Sequence, residues 1–237
     1  MSIRLLTFDL DDTLWEFTPV LIRAEAITYA WLQQHAPAVT ARFSSDELRD
    51  IRLQIAREQP HLAHRVTELR VRGLHIAMQR AGVTDRAIDI LVERAFATFL
   101  HARHDIELFD DAERVLLELK NHYLLGAITN GNIEIKRLGL DRYFAFAINA
   151  EQLSRAKPHP EPFLQALTTA ACTANECVHI GDDCENDVRG AQRLGIHTIW
   201  INREGQQWPG GQPPSEQIRH LAQLPKAVHR IAKRMAE

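Results

Sequence analysis

The sequence predicts an α/β fold: a doubly wound, Rossmann-like parallel sheet with an all-helical domain inserted after its first strand. Two observations carry this. After Phe109, short apolar runs alternate with amphipathic helical stretches, and strands joined through helices must run parallel. Over residues 19–103, apolar residues recur at three-and-four spacing with few strand signals, as in Ile22, Ala26, Tyr29 and Ala30.

Residues 5–10 form a short apolar run that ends in acidic and hydroxyl residues, as a buried strand does on leaving a sheet. The helical block follows. Within it, Gly82 supplies a stop, and Thr84 or Asp85 an N-cap, for a helix over residues 85–100. Then come a helix at 111–121, a strand at 124–128, a helix at 133–138, a strand at 144–149 and a helix at 160–171. A strand at 177–180, a helix at 185–194 and a strand at 197–201 complete the alternation. Residues 208–214, Trp-Pro-Gly-Gly-Gln-Pro-Pro, form a turn-rich loop, and the tail from Ser215 returns to helix. No internal repeat is found.

The 237 residues suffice for a large core with a smaller insert, and 45% hydrophobic with 25% charged residues describes a folded chain. A net charge of −3 creates no field that gathers nucleic-acid polymers or anionic lipid. No apolar run approaches the ~20 residues of a membrane span. The opening segment lacks the features of a secretory signal, and Cys172, Cys177 and Cys184 form no C-x-x-C pair, so reduced thiols in a cytoplasmic protein are expected.

Ligands of open parallel sheets collect beyond the carboxyl ends of the strands. There the sequence places Asp9-Leu-Asp-Asp-Thr13, Thr129-Asn-Gly131, Arg155-Ala-Lys157-Pro158 and Gly181-Asp-Asp-Cys-Glu-Asn-Asp187. Each alone resembles an ordinary turn or helix start. Their occurrence together on consecutive strands is not explained that way.

In order and spacing these clusters resemble the four motifs of the haloacid dehalogenase-like hydrolase superfamily, and residues 16–103 resemble in size and position the helical cap of its phosphatase branch. The resemblance implies a core domain of residues 1–15 and 104–237 and a cap domain of residues 16–103. It implies that Asp9 is the nucleophile and Asp11 the general acid and base. It also favours phosphate esters over 2-haloacids, because halide leaves without a proton and dehalogenases lack the second acid. The cap block holds no lysine for a Schiff base, which disfavours a phosphonatase.

The residue chemistry points the same way. A phosphomonoester is a dianion near neutral pH, and carboxylates repel it unless cations intervene. Asp9 and Asp182, joined by the backbone carbonyl of Asp11 and by Asp187 either as a direct ligand or from behind the ligands, supply the hard oxygens that Mg²⁺ prefers, whereas Cys184 is too soft. Three carboxylates against Mg²⁺ and Lys157 sum to roughly zero, which makes bound phosphate tolerable. Thr129 and Asn130, with the amides that follow, are expected to hold phosphate oxygens. Asp11 would protonate the leaving alkoxide and then activate water.

Asp12 reads as structural, Asp183 and Glu185 as helix-start acids, and His159 and His179 as packing residues outside the catalytic set. Trp15 is a candidate to stack on a substrate ring or to pack at the hinge. Arg65, Arg70 and Arg72 are candidate substrate readers that the resemblance places over the active site, or else a solvated basic face. The closest resemblance is to bacterial phosphatases acting on flavin mononucleotide and on 5-amino-6-(5-phosphoribitylamino)uracil. Pyrimidine 5′-nucleotidases and sugar-phosphate phosphatases are the nearest alternatives; a 2-haloacid dehalogenase and a non-catalytic binding module are more distant ones. The expected partner is a small-molecule phosphate ester, with no nucleic-acid polymer and no membrane, and the chain is expected to be a monomer or weak homodimer.

Overall fold

In the segment that begins at Phe17, Val20, Ala24, Thr28 and Leu32 recur every fourth residue, and these are the residues that the first helix buries. The computed structural model describes residues 2–236. Its contacts divide the chain into two units, Phe17–Ile106 and Met1–Glu16 with Glu107–Glu237. Among the described residues no helix is long and apolar enough to cross a membrane.

The Phe17–Ile106 unit is all-helical: α1 (Phe17–His35), α2 (Pro37–Arg42), α3 (Ser45–Glu58), α4 (Val66–Arg80) and α5 (Asp85–Arg103). Leu32, Ile51, Ile55, Leu74, Met78 and Val92 meet in one buried cluster. Ser44 and Glu47 close a reciprocal cap at the start of α3. Thr84 does stand at the start of α5, with Gly82 left-handed before it, but its side chain makes no capping bond.

The other unit is built on a six-stranded sheet. Its elements are β1 (Leu5–Phe8), α6 (Ala112–Lys120), β2 (Leu124–Thr129), β3 (Phe146–Asn149), α7 (Pro160–Thr169), β4 (Cys177–Gly181), α8 (Gly190–Gln192), β5 (His197–Ile201), β6 (Glu216–Ile218) and α9 (Leu224–Ala236). The strand order is β3-β2-β1-β4-β5-β6 and every pair is parallel. Every residue of β1 and β4 is buried, as central strands covered on both faces require. Leu5, Ile128, Ile148 and Cys177 pack with Phe163 of α7 and Ala191 of α8. The order of strands reverses between β1 and β4, and this switch point is where an open sheet leaves a crevice for ligand.

Two elements differ from the sequence reading. The helix expected at 133–138 is a run of turns closed by bonds from Gly139 N to Lys136 O and from Leu140 N to Ile135 O. With Gly139 left-handed at φ 65°, that double closure ends a helix before a second turn can form. The tail from Ser215 forms β6 before turning helical. A three-residue edge strand with only Ile218 buried carries too little apolar pattern to be read.

Candidate active site

The site is built where β1 and β4 end side by side. Phe8 is in register with Ile180, and the amide of Asp9 still donates to Ile180 O at 2.8 Å, so Asp9 emerges next to Gly181 and Asp182. The chain then tightens: Leu14 N donates to Leu10 O, and Asp12 adopts φ 57°, a left-handed conformation that Asp tolerates better than most residues. Asp12 therefore has a structural reason to be where it is.

Asp9, Asp182 and Asp187 each bring a carboxylate oxygen within 4.8 Å of the others. Lys157 enters the cluster from the segment between β3 and α7. Its Nζ donates to Asp9 Oδ1 and to Asp187 Oδ1, both at 2.6 Å, and its side chain is only 2% exposed. Asp187 reaches back because the chain after β4 winds wide, with Val188 N bonding to Asp183 O, while Asp183 caps the turn by accepting from the amides of Glu185 and Asn186. Asp183 thus has the helix-start role read from sequence. Glu185 is taken by Arg189 and Arg193. Gly181 leaves the space Asp187 occupies, since a Cβ there would lie 2.3 Å from the Asp187 carboxyl carbon.

Asp182 accepts from Thr13 Oγ1 at 3.2 Å, and its backbone carbonyl accepts from the Trp200 indole at 2.7 Å. Thr129 is buried at the end of β2, where its Oγ1 accepts from the Gly131 amide at 3.0 Å. That leaves the Thr129 hydroxyl hydrogen to donate to a ligand.

Burial lifts the Asp9 carboxyl well above the ordinary carboxylate range; Lys157 opposes the rise, and Asp187 and Asp182 add to it. Burial, with Asp187 and Asp12, pushes Asp182 up to about 7. Burial would lift Asp187 as well, but the Lys157 charge and the His179 hydrogen bond outweigh it and hold that carboxyl low. Lys157 is desolvated too, yet Asp187 and Asp9 more than compensate and keep its ammonium charged. Three carboxylates against one ammonium leave the cluster two positive charges short. A divalent cation with hard oxygen preference is the group that fits this donor set.

Several expected roles change. The Asn130 side chain is not aimed at a ligand: its Nδ2 donates to Lys157 O and its Oδ1 accepts from Lys157 N, both at 2.9 Å, so its amide clamps the lysine backbone. The Asp11 carboxylate lies outside the three-carboxylate cluster and accepts from the Trp15 indole at 2.9 Å. Trp15 itself is fully buried, which removes any face for stacking on a substrate ring. In the helical unit, Arg70 is a packing residue, with its guanidinium 3.4 Å from the centre of the Phe99 ring and paired with Glu25. Burial, with Arg52 beside it, lowers its pKa to about 9. Arg65 and Arg72 are half exposed and share Glu68, and Arg72 also donates to Gln59.

Two residues stand behind the cluster: Thr7, which the sequence reading did not single out, and His179, which it read as a packing residue. His179 is wholly buried in β4, hydrogen-bonded to Thr7 at 2.8 Å and to Asp187 at 3.2 Å. Its one signal was a polar residue inside an otherwise apolar strand. His159, by contrast, only caps α7.

The model of the haloacid dehalogenase-like hydrolases matches residues 3–195. The chain is 32% identical to the 5-amino-6-(5-phospho-D-ribitylamino)uracil phosphatase YigB of Escherichia coli, over 95% of this chain and 96% of that protein. A solved structure described as a 2-haloacid dehalogenase from Pseudomonas syringae pv. Tomato has a TM-score of 0.92 at 41% identity, covering 96% of this chain and 99% of that one. A HAD phosphatase structure from Thermococcus onnurineus has a TM-score of 0.63 at 25% identity, covering 94% and 97%.

Proposed function

The chain is a phosphatase of the haloacid dehalogenase-like hydrolase family, and we propose that it hydrolyses a small phosphomonoester through an aspartyl phosphate, an acyl phosphate formed on Asp9, with Mg²⁺ as cofactor. The observation that carries this reading is the convergence of Asp9, Asp182 and Asp187 around Lys157 at the ends of β1 and β4. Lys157 holds Asp9 Oδ1, which leaves Oδ2 to approach phosphorus. As the Asp9 oxygen bonds to phosphorus and the ester oxygen departs, Asp11 gives that oxygen a proton; Asp11 then takes a proton from the water that cleaves the aspartyl phosphate. Trp15 fixes the rotamer of Asp11 for both transfers. Thr129 and Lys157 hold the phosphoryl oxygens, and such positioning with charge stabilisation supplies most of phosphoryl-transfer catalysis. Mg²⁺, held by Asp9, Asp182 and Asp187, would with Lys157 cancel the charge of the three carboxylates, so that the phosphate dianion meets no net repulsion.

The substrate we infer is flavin mononucleotide or the ribitylaminopyrimidine phosphate of riboflavin synthesis, supported by the likeness to the Escherichia coli enzyme over nearly the whole chain. Cytoplasmic placement belongs to the same reading. A 2-haloacid dehalogenase is the second reading, favoured by the 41% identity to the Pseudomonas structure and opposed by Asp11, a proton donor that halide departure does not need.

Phosphate release from p-nitrophenyl phosphate is expected with Mg²⁺, to vanish with EDTA, and to be lost in Asp9→Asn with the circular-dichroism spectrum unchanged. Absence of metal-dependent release from every phosphate ester tried, or near-normal turnover by Asp9→Asn, would overturn the mechanism. Halide release from 2-chloropropionate would favour the second reading. Ranking flavin, ribitylaminopyrimidine, pyrimidine-nucleotide and sugar phosphates by kcat/KM tests the substrate, which fails if sugar phosphates lead.

A further inference from the structure

Thr7 and His179 are register partners on β1 and β4, two residues before Asp9 and Gly181 respectively, so they lie on the same sheet face as those residues. Neither is exposed: Thr7 is 1% accessible and His179 1%. Burying an imidazole costs free energy unless both nitrogens find partners, whereas an aliphatic residue would fill this strand position at no polar cost. Here both nitrogens are bonded, Nδ1 to Thr7 Oγ1 at 2.8 Å and Nε2 to Asp187 Oδ1 at 3.2 Å, and the Phe163 ring packs edge-on at 5.0 Å and fixes the ring plane.

The partners fix the direction of every bond. An ionised carboxylate only accepts, so Nε2 carries the hydrogen, Nδ1 of the neutral ring accepts, and the Thr7 hydroxyl donates to it. Asp187 Oδ1 then receives His179 from one side and Lys157 Nζ from another, while Oδ2 receives the amide of Asp183 at 3.1 Å. A carboxylate offers about four lone-pair directions, and three are occupied by these donors. One direction on Oδ2 is left, and the absent side chain of Gly181 makes room for the group.

We propose that His179, braced by Thr7, is a positioning residue that fixes the Asp187 carboxylate in the orientation from which it serves Mg²⁺. This rests on the metal-dependent reading above and extends it to a pair of core residues that touch neither substrate nor metal. Partners of this kind behind metal ligands typically change metal affinity ~10–100-fold when removed. Without the imidazole, Asp187 keeps Lys157 and the Asp183 amide but loses its brace from within the sheet, and its carboxylate can turn.

The test is titration of the substrate-free protein with MgCl₂ by isothermal calorimetry, paired with the Mg²⁺ activation constant for p-nitrophenyl phosphate hydrolysis. His179→Leu should weaken Mg²⁺ binding ~10–100-fold and raise the activation constant by a similar factor, with kcat at saturating Mg²⁺ largely retained. His179→Gln, which can still donate to Asp187, should recover most of the affinity. Thr7→Val, which keeps its shape and loses the hydroxyl, should move in the same direction by less. Folding is followed by circular dichroism and thermal melting. If His179→Leu does not fold, Thr7→Val and His179→Gln decide: affinity unchanged in Thr7→Val and no better in His179→Gln than in an unfolded control overturns the proposal. A folded His179→Leu with wild-type Mg²⁺ affinity also overturns it while leaving the phosphatase mechanism standing. A wild type with no Mg²⁺-dependent turnover overturns the mechanism itself.

Discussion

Replacing Asp182 with Asn should stabilise the metal-free protein while abolishing its use of Mg²⁺. Asp182 is mostly buried beside Asp187 and Asp12, and burial first, then those charges, carries its carboxyl from an ordinary 3.8 to about 7. A folded carboxyl held above its unfolded value keeps a proton that the unfolded chain has already released. Stability of the metal-free protein therefore falls as pH rises from about 4 to about 7. At about 1.4 kcal/mol per pH unit, this amounts to about 4 kcal/mol by neutral pH. Asn cannot ionise, yet it still accepts from the Thr13 hydroxyl. Asp9, also raised by burial, acts in the same sense, and two carboxyls act in the opposite one. Burial would raise Asp187 and Glu25, but Lys157 and Arg52 outweigh it and hold them low, and their contributions are lost only as pH falls into the acid range. The difference between variant and wild type, rather than either pH profile alone, isolates Asp182.

Urea unfolding in EDTA provides the measurement. Near pH 4 the two proteins should be similar, and near pH 7 Asp182→Asn should be the more stable by up to about 4 kcal/mol. Mg²⁺ should close that gap, because an ion at 100 times its Kd adds about 2.7 kcal/mol to the wild type, and at 1,000 times about 4.1, but little to the variant. Equal or lower stability of Asp182→Asn in EDTA at neutral pH would refute the claim that the cluster is short of positive charge. A variant stabilised by Mg²⁺ as strongly as the wild type would remove Asp182 from the metal site.

Two further substitutions separate roles around the cluster. Asp11→Asn should lower kcat for an alkyl phosphate about 10²–10⁴-fold, with a smaller loss for p-nitrophenyl phosphate, whose leaving group needs no proton; equal losses on the two substrates would argue against proton donation. Asn130→Ala removes the two hydrogen bonds that clamp the Lys157 backbone and should cost about 1–3 kcal/mol in urea unfolding together with a fall in kcat; unchanged stability would mean the clamp is dispensable.

The fold was legible because its determinants are periodic. Apolar runs separated by amphipathic helices give parallel strands, and acids or hydroxyls directly after those runs mark the strand ends where ligands gather. Strand β6 escaped because three residues at a sheet edge, two of them polar, carry no usable period. The 133–138 segment escaped for a different reason: its composition suits helix, but the left-handed Gly139 ends it within one turn.

Site residues divide along another line. A carboxylate after a strand announces itself by type and place, as Asp9, Asp182 and Asp187 do. What orients it depends on side chains whose partners lie far off in sequence: His179 meets Thr7 across 172 residues, and Asn130 grips Lys157 across 27. Residue type then misleads. Asn130 looks like a phosphate ligand because an amide beside a catalytic strand end usually faces the ligand, yet both ends of its amide are committed to the backbone of Lys157. Trp15 looks like a stacking platform, but its indole N–H is bonded to Asp11 and its ring is enclosed. Each of these side chains sets the rotamer or register of a charged group, so substitutions there should change how well Asp11, Lys157 and Asp187 are aimed more than which reaction occurs.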